Sequence, residues 1–88
     1  MKIINKPIEM IANFSCDGIP TPVRLRVQLE DESLTVIKIK RILHQEKFKD
    51  AARNYFYIFN CESIINERLV PYEIKYDLMN CKWYLYKM

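Results

Sequence analysis

Glycine is almost absent from this chain: Gly18 is the only one in 88 residues. A phosphate-cradling loop needs several glycines to bring backbone amides onto an anion, so nucleotide-loop chemistry is excluded. Histidine is as scarce, and His44 lies in a polar stretch with no cysteine or second ligand beside it, a spacing that describes no zinc site. Three cysteines, Cys16, Cys61 and Cys81, cannot all pair within one chain and form no C-x-x-C motif. Reduced thiols and a cytoplasmic setting are expected. No apolar run is long enough to span a bilayer, and Asn5, Lys6, Pro7 and Glu9 break the opening stretch where a signal peptide would be continuous. No membrane association is expected.

What is present is apolar and aromatic. Half of the residues are hydrophobic, which marks a globular chain and not a disordered tail. A length of 88 residues points to a single small β domain over residues 1–88, with a core thin enough that dimerisation would supplement it. The formal charge of +3 is spread along the chain in both signs, compatible with nucleic acid and equally with a solvated surface.

The apolar residues alternate in phase about three tight turns, at Asp17-Gly18, Asn66-Glu67 and Met79-Asn80. This predicts an all-β fold: a six-stranded antiparallel meander forming a small barrel or strongly curved sheet. A two-residue turn at Asp17-Gly18 sets Phe14 opposite Thr21, Ala12 opposite Val23, Met10 opposite Leu25 and Ile8 opposite Val27, all on the core face. Pro20 and Pro22 then face the other way and deny a partner on the far edge. The next strands, residues 23–30 and 34–42, turn through Asp31-Glu32-Ser33 and diverge near Arg41 or Ile42. Residues 44–54 show no strand pattern and are expected to form a loop or short helix between strands 3 and 4, with Phe48 packing it down. The last two hairpins set Cys61 opposite Tyr72, Phe59 opposite Ile74, Tyr57 opposite Tyr76, Tyr76 opposite Trp83 and Ile74 opposite Leu85.

Three segments carry a resemblance: Gly18-Ile19-Pro20-Thr21-Pro22-Val23-Arg24-Leu25-Arg26, Tyr72-Glu73-Ile74-Lys75-Tyr76 and Cys81-Lys82-Trp83-Tyr84-Leu85. With them the chain resembles a family of small uncharacterised all-β proteins from clostridia and related Firmicutes. Members carry a G-x-I-x-P-x-R-F-R type segment and end in E-L-K-Y followed by W-Y-L. The chain is similar, more faintly, to a bacterial domain of unknown function that has an R-F-x-W-x-G segment and is sometimes encoded near error-prone DNA polymerases. The resemblance implies one all-β domain and a slight link to nucleic acid, and it carries over no catalytic residue. Here Leu25 stands where phenylalanine is usual, and Glu67 where a turn glycine would be expected.

No constellation of an enzyme stands out, so no catalytic residue, metal ligand or cofactor is assigned. Ser15, Ser33 and Ser63 lie in or next to turns without a nucleophile elbow. Glu9, Glu62 and Glu73 alternate outward among basic neighbours, which favours ion pairing over acid–base work. Two surfaces remain. Matching Val27 with Ile37 and Leu25 with Ile39 puts Arg26 opposite Lys38 and Arg24 opposite Lys40, a basic quartet suited to an anion or nucleic acid. On the back of the last three strands, Phe56, Ile58, Tyr84 and Tyr86 face outward beside Glu73 and Lys75, a patch suited to a protein partner or a second copy. The favoured function is a non-enzymatic small β-barrel binding module, and nucleic-acid contact through the quartet is the alternative.

Overall fold

A computed structural model of the chain describes residues 1–28 and 32–88; Leu29, Glu30 and Asp31, at the expected bend after the second strand, lie outside the described residues. Among the described residues seven antiparallel strands and no helix are found, so none is long and apolar enough to cross a membrane. The strands are β1 (Ile3–Phe14), β2 (Pro20–Gln28), β3 (Leu34–Lys38), β4 (Arg41–Lys49), β5 (Tyr55–Ile65), β6 (Arg68–Asp77) and β7 (Lys82–Lys87). They form one sheet in the order β3-β2-β1-β7-β6-β5-β4, curled into a half-barrel. The class and the antiparallel layout follow the patterning; the number of strands is seven where six were expected.

The additional strand is β4. The expected loop or short helix over residues 44–54 is instead a strand paired with β5 from Arg41 to Lys49, followed by a tight turn. Its side chains are exposed from Leu43 to Lys49, so the burial that gives a strand its apolar alternation is missing. A bulge at Leu43 shifts the pairing between Ile42 opposite Cys61 and His44 opposite Asn60, which breaks the period again.

The registers of β5, β6 and β7 agree with the alternation pair by pair, from Cys61 opposite Tyr72 to Tyr76 opposite Trp83. Asn66 and Glu67 adopt φ of 50° and 65°, the two positive angles of a type I′ turn. The first hairpin differs near its tip. The Ser15 amide bonds the Ile19 carbonyl at 3.0 Å, and Gly18 closes a three-residue loop at φ 80°. Phe14 therefore meets Pro20, and Ala12 meets Pro22. A bulge next to Val23 restores the expected pairing of Met10 with Leu25. Pro20 and Pro22 are consequently buried, while Thr21 and Val23 are exposed, the reverse of the simple alternation.

The register of β2 with β3 is also displaced, with Leu25 opposite Ile37 and Arg24 opposite Lys38. A displacement of two residues leaves every side chain on its original face, so hydrophobic patterning alone cannot distinguish the two registers. Pairing with β2 ends at Ile39, earlier than the divergence expected near Arg41 or Ile42, because the displaced register brings β3 to the prolines sooner. The Ile39 amide donates to the Val23 carbonyl at 3.1 Å, and the next amide, Lys40, donates to the Glu62 carbonyl of β5 at 3.1 Å. Opposite this crossing, β1 joins β7 and the chain ends meet, with Lys2 and Met88 exchanging backbone bonds of 2.9 and 3.1 Å.

The core lies inside the curl. Leu25, Val27 and Ile37 from one half meet Phe59, Cys61, Tyr72, Ile74, Tyr76 and Leu85 from the other. Burying each large apolar side chain contributes about 1.5–3 kcal/mol. Ser63, expected near a turn, is fully buried within β5 and hydrogen-bonds the Tyr72 hydroxyl. Ser63→Ala and Tyr72→Phe should each cost about 1–3 kcal/mol by leaving a buried hydroxyl without its partner. The double variant should cost less than the sum of the two, as read from urea unfolding. Glu67→Gly should instead stabilise the protein by about 1 kcal/mol, measured the same way, because glycine adopts positive φ without the Cβ clash.

Candidate functional site

The outward residues of β4, β5, β6 and β7 line up in rows set by strand pairing. One row runs Phe48, Phe56, Asp77 and Lys82; the next runs Glu46, Ile58, Lys75 and Tyr84; the third runs His44, Asn60, Glu73 and Lys87. A further bulge, between Glu73 and Ile74, leaves Tyr86 without a Cα partner on β6 and beside Lys87. An open groove of about 370 Å³ results, walled by Phe48 and Phe56 on one flank and Tyr86 and Lys87 on the other.

The rings are organised by cations. Phe48 and Phe56 stack with centroids 5.7 Å apart and planes 20° from parallel. The Lys75 ammonium sits 4.5 Å from the Phe56 centroid and 5.7 Å from that of Tyr86, while Lys87 lies 5.2 Å from Tyr86. Such contacts are worth roughly 0.5–1 kcal/mol each where exposed. Glu46 and Glu73 bring carboxylates to the same groove, with His44 Nε2 3.4 Å from Glu46 Oε2.

Of the four residues expected on this face, Phe56 and Tyr86 wall the groove. Ile58 lies in the groove lining at only 8% exposure, so it is floor and not contact surface. Tyr84 lies in the same row as Ile58, opposite Lys75 on one side and Pro7 on the other, outside the groove. Phe48, expected in a covering loop, is part of the face itself. His44, Glu46 and Phe48 recur at every second position, the one signal in the sequence that could have placed them on a strand.

The basic quartet is divided. Arg24 and Lys38 face each other directly across β2 and β3, but Arg26 is opposite Val36 and pairs with Glu9 of β1. Hydrogen bonding from Arg26 holds the Glu9 carboxyl below its usual range. Lys40 lies at the crossing to β5, and the neighbouring Arg41 is 3.5 Å from Glu62. Two facing cations remain where four were expected, because the displaced register removes Lys40 from the β2–β3 ladder.

Among the described residues no group of three His, Cys, Asp or Glu side chains is placed to hold a metal ion. Burial pushes the Cys61 thiol up to about 12, and it pushes the Tyr72 hydroxyl up to about 12 against the opposing effect of Ser63. Folded, both groups retain protons that the unfolded chain releases near their ordinary values of 9.0 and 10.0. Their stabilising contribution is therefore complete below those values and is lost as pH rises towards about 12. The urea midpoint should fall between about pH 9 and pH 11 in the wild type and fall less in Tyr72→Phe. Iodoacetamide should label Cys16 and Cys81 in the native state and reach Cys61 only after denaturation.

Compared with protein-family models, curated proteins and solved structures, the chain matches none.

Proposed function

We propose that this protein is a non-enzymatic binding module acting through protein–protein contact, with the outer face of β4 to β7 as its contact surface. The observation that carries this reading is the groove: three aromatic rings, Phe48, Phe56 and Tyr86, stand around about 370 Å³ of open space. Aromatic rings combine a large apolar area with few rotatable bonds, which is why they dominate the energetics of protein contacts. Lys75 and Lys87 at the rings and Glu46 and Glu73 in the same rows add charges of both signs around an apolar centre, the anatomy of an interface with a polar rim.

The test is Phe56→Ala combined with Tyr86→Ala. The double variant should keep the far-UV circular dichroism of the wild type and lose at least about tenfold in affinity for any protein the wild type binds, a second copy included. Biolayer interferometry and sedimentation supply that measurement. Wild-type binding left unchanged by the double variant rejects the reading.

A further inference from the structure

The outer side of β1, β2 and β3 presents a second surface. Its outward side chains fall in two rows set by strand pairing: Ile11, Arg24 and Lys38 in one, Glu9, Arg26 and Val36 in the next. Arg24 and Lys38 stand directly opposite each other, an unfavourable placement for like charges, and neither has a carboxylate partner among the described residues. The one carboxylate in these rows, Glu9, is held by Arg26. Two positive charges are therefore left uncompensated. Their surroundings are apolar. Ile11 and Val36 are each 58% exposed, and they border an open depression of about 350 Å³ whose lining includes Arg24 and Arg26. Single apolar residues are ordinary on a surface, but aliphatics grouped around unpaired cations give one face two properties for a partner to match.

We propose that this face binds an acidic, partly apolar segment of another protein, with a carboxylate seated between Arg24 and Lys38 and an aliphatic side chain in the depression beside Ile11 and Val36. Charge complementarity selects the sign of the partner, because an anion between the two cations turns their mutual repulsion into two attractions. The aliphatics select its class. A nucleic-acid strand offers phosphates to the cations but needs rings on which to stack its bases, and none of the six side chains in the two rows has one. An apolar peptide side chain instead takes Ile11 and Val36 out of water. This site is separate from the β4–β7 face and does not depend on it.

The probe is a labelled peptide repeating Glu-Ser-Leu-Ser, in which acid and leucine point to the same side of an extended chain. Fluorescence anisotropy compares it with counterparts carrying lysine for glutamate or serine for leucine, and with a single-stranded oligonucleotide. The acidic peptide should bind with a Kd of about 1 mM or tighter, and at least about tenfold more tightly than each of the other three. Arg24→Gln with Lys38→Gln should weaken it at least about tenfold, and Ile11→Ser with Val36→Ser at least about threefold. Arg24→Glu with Lys38→Glu should transfer the preference to the lysine peptide. All four positions are exposed, so far-UV circular dichroism should stay that of the wild type. Phe56→Ala with Tyr86→Ala should leave peptide binding within about twofold. A wild type that does not bind the acidic peptide overturns the proposal, as does binding indifferent to either pair of changes. Equal or tighter binding of the oligonucleotide overturns it in favour of a nucleic-acid face. Binding lost only on Phe56→Ala with Tyr86→Ala also overturns it, and then the reading of the β4–β7 face stands.

Discussion

The architecture turns on two consecutive amides. Ile39 donates to β2 and Lys40 donates to β5, so one peptide unit carries the chain from one half of the sheet to the other. Without that transfer β3 and β4 would continue as one strand paired with β2 alone, and β5 to β7 would have no route back across the core. The transfer is possible because β2 has no partner to offer beyond Val23. Pro20 and Pro22 lack the amides that a continued ladder would need. Two prolines at one edge thus determine where the sheet curls, and the curl brings Leu25 and Ile37 against Phe59 and Ile74.

A second constraint is the shortage of glycine. Sharp turns and bulges require positive φ, and besides Gly18 the chain meets that need with Asn5, Glu32, Arg53, Asn66, Glu67 and Cys81. Left-handed conformation costs most side chains about 1–2 kcal/mol. Local hydrogen bonds offset part of this cost. Asp50 and Asp77 accept backbone amides across their turns, at 2.9 Å from Asn54 and 2.9 Å from Met79, and Ser15 does the same for Ile19 at 3.2 Å. The same three-residue loop appears twice, at residues 16–18 and 51–53, with glycine at its last position in one and arginine in the other. A turn is recognised from sequence mainly by glycine, which is why the second instance left so faint a trace.

The outer faces differ in how their charges are used. On β1 and β2, Arg26 and Glu9 satisfy each other, which takes a cation away from any anionic partner. On β5 to β7, Lys75 lies against the rings of Phe56 and Tyr86, and Lys87 against that of Tyr86.

Alternation of apolar residues about short turns was enough to determine the all-β class, the registers of β5, β6 and β7, and the inward placement of Phe59, Cys61 and Ile74. Period-two patterning encodes the face of each residue directly, and these strands are half-buried along most of their length. Only the tertiary structure decided the rest. β4 has no buried face to leave a pattern; a register displaced by two residues looks identical from the sequence; and bulges at Val23, Leu43 and Tyr86 appear only when strands are paired. Those long-range pairings settled that Arg26 would meet Glu9, that Lys40 would leave the basic face, and that Phe48 would stand beside Phe56. Local sequence specifies which way a side chain points, whereas its neighbours are specified by closure of the whole sheet.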